Sequence, residues 1–262
     1  MITSNRIFSS LESLAKLGPD LKDVQSESLQ ALPSLRAVLT EFTPLPRAAL
    51  FIGLANDGLP ILLNLLDPLP GPIMIVGDKG SGKTNFIKTI SSAIDQVHPP
   101  DDVKYVVITN DLSEWAGFQR SANCENILSV EEAILTHYMH SLVEWAHTNK
   151  ADRQIYLLFI DNFEAFLKDS ELRNDLSWLL LRGPARRVWP VVTVGSTSAV
   201  SKDLQPWLNS FRSRLFGNIH NDRESQWLTG LPNISFDKLV PGVQFAMREG
   251  NDWLQFWIPK LD

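Results

Sequence analysis

Residues Gly77-Asp78-Lys79-Gly80-Ser81-Gly82-Lys83-Thr84 satisfy the pattern G-x-x-x-x-G-K-[ST] in full. Glycines at these positions let successive backbone N–H groups turn inward and cradle phosphate oxygens at the start of a helix. Lys83 would carry its ammonium to the β- and γ-phosphates of a nucleotide, and the Thr84 hydroxyl would serve Mg²⁺. Asn85 closes the expected set, whose ligand is ATP with Mg²⁺. Asp161 ends the apolar run Ile155 to Ile160 and is placed to hold the same Mg²⁺, directly or through water. Its competing structural role is to cap the helix that follows. Next comes Asn162, whose amide can orient a water but is a poor base. Glu164 and Glu114 are the carboxylates that can replace it as base; either is equally readable as a solvated surface charge.

These side chains need a strand before each and a helix after the first. Ile73 to Val76 reads as the strand entering the loop and Asn85 to Gln96 as the helix leaving it. Further strands are expected at Ala49 to Leu54, Pro60 to Leu66, Lys104 to Thr109, Ile155 to Ile160, Val191 to Val194, Leu215 to Ile219, Gln244 to Met247 and Trp253 to Ile258. Asn56-Asp57-Gly58 turns the first two into a hairpin, because Asp-Gly tolerates the positive φ that a type I′ turn requires. Helices are expected over Val130 to His147 and Glu171 to Leu181, the latter closed by Arg182-Gly183-Pro184. Apolar strands alternating with helices imply an α/β domain whose sheet is mostly parallel and covered on both faces. Residues 1–45 read as a helical leader, with Phe8, Leu11, Leu14 and Leu17 at helical spacing and a second run from Ser28 to Phe42; residues 46–262 read as the main domain.

The chain has 262 residues, 44% of them hydrophobic and 21% charged, the balance of a folded soluble protein. A net charge of -6 excludes a uniformly basic nucleic-acid binder, so contact with DNA would need a local patch or a ring with a distinct pore. Cys124 is the sole cysteine, which excludes an intrachain disulfide and fits a reducing compartment. Met1 to Leu17 lacks a signal-peptide pattern, and Asn64, Asp67, Pro68, Pro70 and Pro72 interrupt the most apolar stretch. No membrane span and a cytoplasmic location are therefore expected. His137 and His140 lie three apart on a helix, but nothing nearby completes a metal set.

The order of these motifs resembles the FtsK/HerA class of ring-forming motor ATPases, from about Ala49 to Pro259. The hairpin Gly53 to Leu66, the segment Thr109-Asn110-Asp111-Leu112-Ser113-Glu114-Trp115, the stretch from Asn126-Ile127-Leu128 to Lys150, and Val191 to Ser198 carry the likeness. So do Phe211 to Phe216, Asp222-Arg223-Glu224-Ser225 and Leu239 to Gln244. The resemblance implies a RecA-like P-loop NTPase fold with a mostly parallel central sheet flanked by helices. It also implies a homo-oligomeric ring, a hexamer, in which an arginine of one subunit completes its neighbour's site. Arg186, Arg187, Arg212, Arg214 and Arg223 are the candidates, with Arg186 and Arg214 foremost. Asn162 stands where that class usually has Glu, and Gly195 to Ser198 lacks its γ-phosphate-sensing Gln, so slow hydrolysis is expected. The implied function is a motor that moves double-stranded DNA. A motor for a protein substrate or partner, or a weakly hydrolysing regulatory subunit, are the alternatives, and the acidic net charge leans toward them.

Overall fold

The computed structural model describes residues 32–149 and 154–262. The helical pattern from Phe8 to Leu17 and the start of the run from Ser28 lie outside the described residues. Ten strands form one sheet: β1 (Ala49–Ala55), β2 (Pro60–Asn64), β3 (Ile73–Gly77), β4 (Val103–Thr109), β5 (Cys124–Ser129), β6 (Ile155–Asp161), β7 (Val188–Gly195), β8 (Ser213–Phe216), β9 (Gln244–Glu249) and β10 (Asp252–Trp257). Their order is β2-β1-β10-β9-β8-β3-β7-β6-β4-β5. From β8 to β5 the neighbours are parallel, and β9, β10, β1 and β2 extend the sheet antiparallel.

The central strands β3 and β6 are apolar up to their carboxyl ends because both faces are covered. Every residue of β3 and of β6 is buried. Successive side chains divide between two cores, as the two-residue period of a strand dictates. Met74, Val76, Leu158 and Ile160 point to helices α3 (Ile134–Thr148) and α4 (Ser170–Arg182). Ile73, Ile75, Leu157 and Phe159 point to α2 (Lys83–Val97), which presents Phe86, Ile87, Ile90 and Ile94. A third, smaller cluster forms where Leu35, Val38 and Leu39 of α1 (Leu35–Phe42) meet Phe51, Leu54 and Ala93. The Leu35 N–H also donates to the Lys260 carbonyl at 2.8 Å. Residues 35–42 are thus packed on β1 and α2. No helix among the described residues is long and apolar enough to cross a membrane.

Three elements differ from the sequence reading. Residues 124–129, partly absorbed into the long-helix stretch, are the edge strand β5, and α3 starts later, at Ile134. Its half-exposed side chains lack the continuous apolar run that marks the buried strands. β7 begins before Pro190, which pairs opposite Leu158 in mid-sheet; a residue without an N–H argues against a central strand from sequence alone. β8 stops at Phe216; just beyond it the Gly217 N–H still donates to the Val76 carbonyl at 2.8 Å, and the Asn218 carbonyl accepts from the Asp78 N–H of the phosphate loop.

Candidate nucleotide-binding site

β3 ends at Gly77 and α2 begins at Lys83, so the motif spans the carboxyl end of a central parallel strand and a helix N-terminus. Gly82 caps that helix in the left-handed region (φ +94) without a side-chain cap, which leaves first-turn N–H groups to bind an anion. A Cβ on Gly82 would lie 2.6 Å from the Gly242 Cα. The Gly242 N–H donates to the Ser81 carbonyl at 3.1 Å, and the Asn85 amide donates to the Gly242 carbonyl at 3.4 Å. From the other side, the Asp78 N–H donates to the Asn218 carbonyl at 2.9 Å. The Asn218 side chain, itself buried, donates to the Asp237 and Leu239 carbonyls at 2.9 Å each. Lys79 and Gly80 are exposed at the loop tip, whereas the Ser81 hydroxyl is buried without a hydrogen-bond partner.

Lys83 folds back on the loop, its Nζ donating to the Gly77 and Asp78 carbonyls at 2.8 Å each. Burial pushes its ammonium below the usual lysine range, against the opposing charges of Glu164, Asp161 and Asp78. Asp161, 8% exposed, accepts on one oxygen from the Thr193 hydroxyl at 2.8 Å and the Thr84 hydroxyl at 3.1 Å. Burial raises its carboxyl above the usual range despite those two donors. The Thr84 hydroxyl and the Asp161 carboxylate are therefore adjacent hard oxygens. Such donors suit Mg²⁺, which takes oxygen ligands and retains several waters. Among the described residues there is no group of three or more His, Cys, Asp or Glu that could hold a metal by itself.

Glu164 lies in this site, its carboxylate accepting from the Gly195 N–H at 2.7 Å where β7 ends. Asn162 takes a left-handed conformation (φ 85), and its side-chain oxygen caps the one-turn helix Phe163–Phe166 by accepting from the Ala165 N–H at 3.2 Å. Asp78 accepts from the Ser196 hydroxyl on one oxygen; on the other it accepts from the His220 N–H at 2.9 Å and its Nδ1 at 2.7 Å. Glu114, half-exposed, pairs with Lys88 at 3.3 Å.

The arginines are elsewhere. Arg186 and Arg214 sit at the amino ends of β7 and β8, and the loop at the carboxyl ends. The eight residues of β7 span about 25 Å at roughly 3.3 Å each. Arg186 donates to the Asn149 carbonyl at 3.2 Å. Arg214 is half-buried, and its three guanidinium nitrogens donate to the Phe211, Leu228 and Leu208 carbonyls of its own chain. Arg187 reaches the Leu65 and Leu66 carbonyls, while Arg212 and Arg223 are exposed.

Thr193, Ser196, Asn218, His220 and Gly242 escaped the motif reading. They come from strand ends and loops distant in sequence, and none belongs to a fixed spacing. The signal available was position: Thr193 and Ser196 stand at or just past the carboxyl end of a strand, the edge where α/β sheets bind ligands.

No protein-family model matches the sequence, and no curated protein does. Solved structures do resemble the fold. EccC of Thermomonospora curvata (ATPases 2 and 3), in complex with a signal sequence peptide, has a TM-score of 0.67 at 13% identity over 88% of this chain and 43% of that one. The pCW3 conjugation coupling protein TcpA, as a monomer with ATPγS, scores 0.61 at 15% identity over 87% of this chain and 69% of that one. The genome packaging NTPase B204 of Sulfolobus turreted icosahedral virus 2, in complex with ATPγS, scores 0.52 at 14% identity over 76% of this chain and 100% of that one. The chain spans less than half the length of the EssC and EccC chains it resembles. At such identities the likeness establishes the fold alone, a RecA-like P-loop fold that this chain shares with these proteins.

Proposed function

We propose that the chain is an ATP-binding motor subunit that couples Mg²⁺-dependent ATP hydrolysis to translocation of DNA within a homo-oligomeric ring, a hexamer. The observation that carries the proposal is the meeting of Lys83, Thr84 and Asp161 at one edge of the sheet: Thr84 bonds Asp161, and Lys83 is held over the loop. Lys83 would bind the β- and γ-phosphates and Thr84 and Asp161 would hold Mg²⁺, which supplies charge neutralisation on the phosphoryl oxygens. Glu164, kept in place by the Gly195 N–H, is the carboxylate best placed to orient or deprotonate water, because the Asn162 amide oxygen is committed to its cap. Among the described residues no arginine hydrogen-bonds the loop, Asp161 or Glu164, which supports a cation supplied by a neighbour. Arg186 is the stronger candidate for that role, since all three guanidinium nitrogens of Arg214 bond its own chain whereas Arg186 donates through Nη1 to the Asn149 carbonyl.

Translocation or assembly of protein is a second reading. The acidic net charge favours it, as does the peptide bound to the similar EccC. Measuring ATP turnover of the purified protein with and without double-stranded DNA tests the choice. Stimulation by DNA is the expected result. Turnover indifferent to DNA overturns the DNA reading in favour of a protein motor, and tight binding without turnover overturns both in favour of a regulatory subunit.

A further inference from the structure

A carboxylate in the second position of a phosphate-binding loop opposes the loop's own ligand. Asp78 occupies that position, and the fold surrounds it with donors. One oxygen accepts from the Ser196 hydroxyl just past β7, and the other from the N–H and Nδ1 of His220 beyond β8, at 2.9 and 2.7 Å. Asp78 thereby ties the start of the loop to the ends of two further strands. The contact lines a recess of about 290 Å³ together with Lys79, Asn221 and Glu224, and the His220 side chain is 76% exposed to solvent there.

We propose that Asp78 and His220 form a charge pair beside the phosphate loop, and that nucleotide polyphosphate binds more tightly when His220 is an imidazolium cancelling the Asp78 charge. The proposal rests on the nucleotide-binding reading above. Nδ1 faces a carboxylate, so it carries a proton in both the neutral and the cationic ring. The contact with Asp78 is therefore open to either form of the ring, and protonation changes only the charge beside the ligand. The ionisable groups that share the recess with His220 are Asp78 and Lys79 on the loop and Glu224 on α5 (Asp222–Thr229), whose first turn also carries Asp222 and Arg223. The segment after β7 offers only the hydroxyls of Ser196, Thr197 and Ser198. Glu224 is itself engaged by Asn221 at 3.1 Å and Thr197 at 3.3 Å, which leaves Asp78 as the direct partner of His220.

Calorimetric titration of Mg²⁺·ATPγS at pH 6 and pH 8 tests this on the parent, His220→Gln and Asp78→Asn. Titration of the nucleotide itself is common to all three and cancels in the comparison. At pH 6 His220→Gln should bind about two- to fivefold more weakly than the parent, the range of an exposed charge pair, and at pH 8 the two should agree. Asp78→Asn should bind at pH 8 at least as tightly as the parent does and should lose the parent's extra pH dependence. Linkage demands the converse, that Mg²⁺·ATPγS favour the protonated ring of His220 by the same roughly two- to fivefold factor, read by NMR on the parent. Identical pH dependence in all three proteins, with an unmoved His220 resonance, overturns the proposal while leaving nucleotide binding intact. A parent that binds no nucleotide at either pH overturns the nucleotide reading itself, and this proposal with it.

Discussion

At the scale of single residues, Asp161 combines burial, two hydroxyl donors and a raised carboxyl pKa. Asp161→Asn keeps the hydroxyl contacts and removes the charge. Nucleotide affinity without metal should change less than about twofold, whereas Mg²⁺-dependent turnover should fall at least tenfold. A variant that turns over at the parental rate would reduce Asp161 to a structural acceptor. Because the raised pKa keeps Asp161 protonated below a higher pH than an ordinary carboxylate, Mg²⁺ dependence should fade earlier on acidification. Ser81 offers a contrasting test. Its buried hydroxyl has no partner, and an unmet buried hydroxyl costs about 1 to 3 kcal/mol. Ser81→Ala should therefore stabilise the fold by about 1 kcal/mol in chemical denaturation; a loss of stability would show that the hydroxyl has a partner in solution. The motif made Lys83, Thr84 and the glycines legible, since their chemistry depends on local spacing. Ser196 and His220 were not legible: they meet Asp78 across 118 and 142 residues, and no local pattern encodes a contact of that range.

At the scale of elements, the buried strands announced themselves. Ile155 to Ile160 is apolar at every position because both sheet faces are covered, and Asn56-Asp57-Gly58 marked the β1–β2 turn. Pro190 hid the first three residues of β7, and the half-exposed edge strand β5 carries too little hydrophobic signal to stand apart from the helix after it. Gly82 belongs to this scale because it joins the phosphate loop to α2 and packs on Gly242. Gly82→Ala places a Cβ 2.6 Å from the Gly242 Cα at φ +94. The left-handed conformation and the overpacking together should cost about 2 to 4 kcal/mol. A thermal melt that matches the parent, with nucleotide affinity unchanged, would mean that the Pro241-Gly242 segment moves aside freely.

The whole molecule presents the candidate site on the carboxyl edge of its parallel strands and Arg186 on the amino edge. One chain cannot bring the two together, but head-to-tail neighbours in a closed ring can. A cation supplied in trans is worth about 10³ to 10⁵ in rate. Turnover per subunit should thus rise steeply with protein concentration, and Arg186→Ala subunits should depress parental activity when mixed with it. Constant specific activity on dilution, with only monomer in light scattering, would remove the ring. Beneath assembly, polymer and rate lies the claim that this chain binds a nucleotide through its phosphate loop, and titration calorimetry with Mg²⁺·ATPγS tests that most directly. The expected result is one site per chain in the parent and at least 100-fold weaker binding in Lys83→Ala with an unchanged melt, because about 3 kcal/mol of charge-assisted hydrogen bonding is lost. Equal affinity in Lys83→Ala, or no binding by the parent, would contradict the account.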